Sequence, residues 1–465
     1  MHGSQEKIES MFLSENDIGL ATDLYELTMA AVYFKSRQID RIGVFEAFVR
    51  KLPKNRSYMV VAGLEQAIHY LLNLRFTEEQ IRYLKSTDTF RDVGQDFFEY
   101  LRDFRFTGDV WAVPEGTVLF PNEPILRVEA PIIESQIAET FLLSIVNFES
   151  LIATKASRTV SAAGDKKIIE FGFRRAHGPQ AALLAARASY IGGCAGTSNT
   201  LAGYRLGIPT FGTMAHSFVM NYESEIDAFK EFGKVFPDSL LLVDTYDTLA
   251  AVRKIVKHGI GARGIRLDSG DLYELSVRSR EILDDAGYNH AIIMASGDMN
   301  EYIISDLVKR NAPIDAFGVG TELATSRDDP AMNGVYKLVA IKIPPVEKGK
   351  PSKVLCKLKS SPGKKNYPGP KQVYRTTSDG VIKIDLIALE GEQPPENSIP
   401  LLMKYVDNGT LVRRLPSLEE IRKYHQDQMR MLPSEFKRLD TSAEEFPVVF
   451  SDRLETLARE FVVKE

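Results

Sequence analysis

Cysteine is nearly absent from this 465-residue chain: Cys194 and Cys356 are too few for a disulfide framework, and neither sits in a CxxC or Cys/His spacing that would hold zinc. Glycine-rich nucleotide motifs are missing too. There is no GxGxxG after a first strand and no GxxxxGK followed by Ser or Thr, so neither a Rossmann nor a Walker nucleotide site is supported. No run approaches the roughly 18 uncharged apolar residues of a membrane-spanning helix. The opening MHGSQEKIESMFLSEND lacks the apolar stretch of a secretory signal, so a cytoplasmic chain with no membrane partner is expected. Excess charge of one sign is also lacking: 58 Lys and Arg face 63 Asp and Glu, which leaves no global field for nucleic acid.

What is present is an ordinary globular composition, 44% hydrophobic and 26% charged, on a chain long enough for two or three domains. From about residue 165 to 322 a short apolar run, a polar or glycine-bearing turn and a helix-like stretch recur, the signature of parallel βα units. The expected strands are 167–171, 208–213, 240–244, 262–268, 291–296 and 314–319. Six such strands suggest an α/β fold with an irregular parallel β/α barrel, whose chemistry would lie at the strand carboxyl ends; a doubly wound open sheet would place ligands similarly. The first 140 residues read as α+β, with a helix over 22–34, a strand over 42–49, a helix over 61–73 and β-like segments over 108–127. The expected division is 1–140 as the N-terminal α+β domain, 141–335 as the catalytic barrel, and 336–465 as a segment packing back on the first domain. No internal repeat is found.

The residues at the strand ends carry the chemistry. His216 in GTMAHS stands beside hydroxyls and suits acid/base work or attack on phosphorus, or is simply a satisfied polar histidine. In IRLDSGD, Arg266 and Asp268 are two apart on an extended strand and so face the same side, one for an anionic group and the other for a hydroxyl or Mg²⁺. Asp271 there fits a helix start, and the whole segment could be a cap plus a structural ion pair. The successive turns ASGD (Gly297, Asp298) and FGVGTE (Gly318, Gly320, Thr321) offer unobstructed backbone amides for phosphate. FGFRR places Phe171 and Arg174 where an aromatic face and a guanidinium could hold a flat anionic ring. VDTYDT is a weaker signal of ribose-binding acids. The basic stretch 348–375 reads as a solvated loop whose lysines could meet a diphosphate. Together these features fit transfer of a phosphoribosyl group to a flat anionic base.

The segments DLYELTM from Asp23, FGFRRAHGPQAA from Phe171, GTSNT from Gly196, GTMAHSF from Gly212, VDTYD from Val243, IRLDSGDL from Ile265, FGVGTELATS from Phe317, NGVYKLV from Asn333 and PGPKQVYR from Pro368 occur in order. In these the sequence closely resembles the nicotinate phosphoribosyltransferase family. The resemblance implies a type II phosphoribosyltransferase barrel with an α+β domain built from both chain ends. It implies conversion of nicotinate and phosphoribosyl diphosphate to nicotinate mononucleotide and diphosphate, with Mg²⁺ and with ATP hydrolysed through phosphorylation of His216. By the same carry-over Tyr25 and Phe171 would flank the pyridine ring, with Arg174, Ser198, Thr213 and Arg266 at nicotinate. Asp268 would serve ribose and metal, and Gly297, Asp298, Gly318, Gly320 and Thr321 the phosphoribosyl phosphates. Tyr25 is expected from the neighbouring subunit of a homodimer. The related nicotinamide enzyme has an aspartate where Ser198 stands, and a carboxylate there would repel nicotinate, so Ser198 favours the acid. A quinolinate enzyme would need more cations for two carboxylates and leaves GTMAHS unexplained. A silent barrel acting as a binding protein is disfavoured by the joint presence of His216, Arg266, Asp268 and Asp298. The sequence departs from the family at Pro370, where PGPKQVYR lacks the arginine of the more usual PGRKQVYR.

Overall fold

The structure is a computed structural model, described over residues 13–345, 352–359, 366–440 and 445–462. Three of its four sheets carry the architecture. The parallel sheet runs in the order Gly196–Thr197, Lys167–Glu170, Ala316–Val319, Ile292–Ala295, Gly264–Leu267, Leu240–Leu242. These strands are short, with nearly continuous apolar side chains, because helices cover one face and side chains fill the other. Five of the expected strands appear here with slightly trimmed ends.

The sixth does not. Within 208–213 only Thr210 bridges, to Thr197, and the two-residue strand Gly196–Thr197 takes the place in the ladder. Pro209 has no N–H to donate, so the segment bonds only through its own carbonyl to Thr197 N at 3.0 Å and through Phe211 N to Thr197 O at 2.9 Å. Among the described residues no ladder joins this segment to Leu240–Leu242. The barrel is therefore irregular, with a seam on that side.

A seven-stranded sheet draws on both ends of the chain, in the order Lys353–Cys356, Gly334–Ile343, Ile42–Val49, Pro124–Pro131, Asp109–Ala112, Met403–Asp407, Thr410–Leu411. Its pairings are antiparallel: Ala47 faces Tyr336, and Val110 faces Val406. The C-terminal segment thus packs back on the N-terminal one, as the α+β reading expects. A smaller sheet, Ser398–Pro400, Lys371–Ser378, Val381–Leu389 and Val448–Phe450, completes that end of the molecule.

Between the two halves lies the helix Glu139–Ala163, packed on Pro179–Ile191 and Glu301–Lys309. Although charges interrupt it, the stretch Ile132–Ala163 is long and apolar enough to cross a membrane by length and composition. More than half of its apolar window is buried inside the protein, and it carries the buried charges Glu149, Lys155 and Arg158. It is a core helix.

Two cations of the basic stretch after residue 347 depart from expectation, whereas Lys353 and Lys359 are exposed. Lys371 is buried, with its ammonium 2.7 Å from Glu46 Oε2 and donating to the carbonyls of Tyr367 and Gly369 at 2.9 Å. Arg375 is buried as well, bonded to Asp385 through Nε at 2.9 Å and Nη2 at 2.5 Å. Neither cation is available to a diphosphate; the lysines at 348, 350, 364 and 365 lie outside the described residues.

Candidate active site

A cleft of about 480 Å³ opens at the carboxyl ends of the parallel strands. Twelve of the thirteen expected site residues line it: Phe171, Arg174, Ser198, Thr213, His216, Arg266, Asp268, Gly297, Asp298, Gly318, Gly320 and Thr321. They converge because most lie in or just after the parallel strands that the core holds in place, while Thr213 and His216 follow the segment that bridges Thr197.

Arg266 organises the floor. Its Nε donates to Ser296 Oγ at 2.8 Å, Nη1 to Thr213 Oγ1 at 3.0 Å and Nη2 to Asp268 Oδ1 at 2.7 Å. A guanidinium has five N–H groups, so one hydrogen on each terminal nitrogen remains for an anion. The same guanidinium lies 5.5 Å from the centre of the Phe171 ring, which sets an aromatic face beside the anion site. Gly318 makes room for that ring: a Cβ there would stand 2.5 Å from Phe171 Cδ2.

Asp268 holds the next position. Oδ1 also accepts from Ser296 Oγ at 2.6 Å, while Oδ2 faces His216 Nε2 across 3.8 Å. Burial alone would raise this carboxyl, but the Ser296 hydroxyl and the Arg266 guanidinium outweigh it and hold it below the ordinary carboxylate range. Asp244 Oδ2 accepts from Asp268 N at 3.2 Å and from Ser269 Oγ at 2.6 Å, which fixes the loop. Gly297 turns with φ of +86° directly over Asp268, where a Cβ would collide with that residue's carbonyl oxygen. Asp271 caps the following helix by accepting from Glu274 N at 3.0 Å, so it is structural.

His216 begins a short helix and is 41% exposed at its side chain. Nδ1 is 3.1 Å from Thr245 Oγ1, which orients the ring and leaves Nε2 toward Asp268. Across the cleft, Glu170 accepts from Gly172 N and, at 2.5 Å, from Thr197 Oγ1, and so ties the Phe171 loop to the Ser198 loop. Burial raises the Glu170 carboxyl, partly offset by those two donors. Ser198 is exposed, its N–H on Glu170 O at 2.9 Å.

Tyr25 does not line the cleft of its own chain. It is 46% exposed on the helix Leu24–Lys35, which packs on Ile132–Ile137. Beside it Glu26 is fully buried: Oε1 accepts from Thr140 N at 2.9 Å and Oγ1 at 2.7 Å, while Oε2 has no partner among the described residues. Burial pushes this carboxyl up to about 7, against the pull of the Thr140 donors. A carboxyl raised on folding favours the folded state while protonated, and that contribution is lost as pH rises through about 7. Glu26→Gln is therefore expected to be more stable than the parent by about 2 kcal/mol at pH 8, with the difference vanishing near pH 4.5. Urea midpoints at the two pH values check this, and equal midpoints at pH 8 would refute it.

Sequence reasoning passed over Ser296 as a site residue and read Asp244 and Thr245 only as part of a weak ribose-binding signal. The apolar-run-then-polar signal that marked their neighbours is present at each; what the sequence withheld is the cross-strand partner that gives each its task.

Three family models tile most of the chain: the nicotinate phosphoribosyltransferase N-terminal domain over residues 20–147, the quinolinate phosphoribosyl transferase C-terminal domain over 152–328, and the nicotinate phosphoribosyltransferase C-terminal domain over 397–458. A nicotinate phosphoribosyltransferase of Mycobacterium tuberculosis is 45% identical over 442 residues, 94% of this chain and 92% of that one. One from Bacillus subtilis is 42% identical over 468 residues, 94% of each. The crystal structure of human nicotinic acid phosphoribosyltransferase superposes with a TM-score of 0.80 at 28% identity, covering 94% of this chain and 99% of that one.

Proposed function

The chain belongs to the nicotinate phosphoribosyltransferase family, and from that premise we propose that it joins nicotinate to phosphoribosyl diphosphate, giving nicotinate mononucleotide and diphosphate, while ATP and water become ADP and phosphate through His216. The observation that carries this reading is the convergence of Arg266, Phe171, Asp268 and His216 on one cleft. The two unspent N–H groups of Arg266 bind the nicotinate carboxylate, and Phe171 stacks on the pyridine ring. That arrangement sets the ring nitrogen to attack C1 of the ribose as diphosphate departs. Asp268, held ionised, stabilises the positive charge that develops on the ribose. The exposed turn of Gly297 and Asp298 and the partly buried strand end at Gly318, Gly320 and Thr321 receive the phosphates. Ser198 presents no charge on the carboxylate side, which favours the acid over the amide.

No group of three or more His, Cys, Asp or Glu among the described residues forms a metal cage. Among the described residues Asp268 Oδ2 accepts no hydrogen bond, and Asp268 lines the cleft, which fits Mg²⁺ arriving with the diphosphate, bound mainly by phosphate oxygens and one carboxylate. That ion would neutralise the departing diphosphate. Tyr25, exposed and outside its own cleft, completes the ring slot of a second copy in a homodimer. The compartment is the cytoplasm, in keeping with the two free thiols.

The test is turnover of nicotinate and of nicotinamide with phosphoribosyl diphosphate and Mg²⁺, each with and without ATP, in the parent and in His216→Ala. Nicotinate turnover stimulated by ATP with release of ADP is expected, and His216→Ala should keep the basal rate and lose the stimulation. Full stimulation in that variant removes His216 from the coupling, and preference for nicotinamide overturns the role of Ser198.

A further inference from the structure

Beneath the two glycine loops lies a buried charge cluster that the chemistry above does not use. Lys155, on the core helix Glu139–Ala163 and 1% exposed, stands 2.6 Å from Glu301 Oε2, 2.9 Å from Asp328 Oδ1 and 3.8 Å from Glu322 Oε2. Arg56 grips Asp328 with two bonds, of 2.7 and 3.0 Å, and Arg158 Nε lies 3.5 Å from Glu301 Oε1. With Arg327 Nη1 3.6 Å from Glu322 Oε1, four cations face three carboxylates. Burial would raise the Asp328 carboxyl, but Arg56 and Lys155 hold it far below the ordinary range.

A buried ion cluster is a poor source of stability, because desolvating the charges costs about as much as their attraction returns and apolar side chains of similar volume often serve as well. Its distinctive property is geometric. Glu301, separated by two residues from the turn of Gly297 and Asp298, opens the helix Glu301–Lys309, and Asn300 caps that helix by accepting from Tyr302 N and Ile303 N at 3.0 Å. Glu322 directly follows Thr321 at the end of the second glycine loop. One ammonium therefore contacts the first turn after one loop at 2.6 Å and pairs across 3.8 Å with the first turn after the other.

We propose that Lys155 is a positioning residue for phosphoribosyl diphosphate, fixing the two phosphate loops relative to each other through Glu301 and Glu322. The inference rests on the reading that those loops receive the phosphates. Misplacement of a binding group by about 1 Å is enough to cost up to about 100-fold in rate, so a loosened tie should appear chiefly in the use of this one substrate.

Steady-state KM values for both substrates in Lys155→Met and Glu322→Gln, with melting temperatures, test it. Lys155→Met should raise KM for phosphoribosyl diphosphate about 10-fold and Glu322→Gln about 3-fold, with KM for nicotinate within about 2-fold of the parent in each. A parallel rise of both KM values, or a KM for phosphoribosyl diphosphate within about 2-fold of the parent, overturns the proposal. Glu322 sits at the partly exposed rim, so its variant decides alone where Lys155→Met does not fold. Thr321→Val separates the two readings: if it leaves KM for phosphoribosyl diphosphate unchanged, the loop assignment fails. If that KM rises while Lys155→Met leaves it flat, only the positioning role fails.

Discussion

Replacing Arg266 by alanine is expected to lower kcat/KM for nicotinate by about 100- to 1,000-fold, which corresponds to roughly 3 to 4 kcal/mol. The size follows from how many partners lose their anchor at once. Arg266 bonds Ser296, Thr213 and Asp268 and keeps two further N–H groups for the carboxylate. Its side chain is only 16% exposed, so water replaces these contacts poorly. The loss should fall mainly on KM for nicotinate, because the carboxylate is bound alike in ground and transition states. Arg266→Lys is expected to recover little, since a single ammonium cannot serve three side chains and a carboxylate at once. An unchanged KM in Arg266→Ala would remove this residue from the base site.

Asp268→Asn should act on the other parameter, lowering kcat by about 100- to 1,000-fold with little change in KM for nicotinate. The amide oxygen can still accept from Arg266 and Ser296, so the fold and the arginine's orientation survive. What disappears is the negative charge beside the ribose. Because the carboxyl is held below the ordinary range, it stays ionised as pH falls through the usual carboxylate values and is lost only below them. The parent's kcat should therefore show no protonation of Asp268 near pH 4, where an unperturbed aspartate titrates. A lowered melting temperature with kcat intact would assign Asp268 a purely structural part.

The site was legible in the sequence to the extent that one strand supplies its own side chain. Parallel strands buried on both faces read as apolar runs, and the polar residue after each run marks the cleft, as at Asp268 and Asp298. Two-residue spacing put Arg266 and Asp268 on one side, and their 2.7 Å contact agrees. Legibility ended where a role depends on a distant partner. Ser296 matters because it bridges Arg266 and Asp268, thirty and twenty-eight residues away in sequence. Lys371 and Arg375 look like surface cations in a proline- and glycine-rich stretch, yet Glu46 and Asp385 bury them. The strand Gly196–Thr197 is too short to show a period of its own, and Pro209 spoils the run that seemed the better strand.

The seven-stranded sheet also sets an order of events during synthesis. Ile42–Val49 meets its partner Gly334–Ile343 only after nearly three hundred intervening residues exist, and Asp109–Ala112 waits equally long for Met403–Asp407. The parallel barrel has no such delay, because its strands are drawn from one continuous stretch, 167–319. A nascent chain emerging N-terminus first can thus complete the barrel while the strand Ile42–Val49 still has one unpaired edge. That edge is long and apolar, the type that invites pairing with another chain. Truncation after residue 321 but before 334 leaves it permanently open, so such incomplete chains should aggregate even though every residue of the cleft has been made.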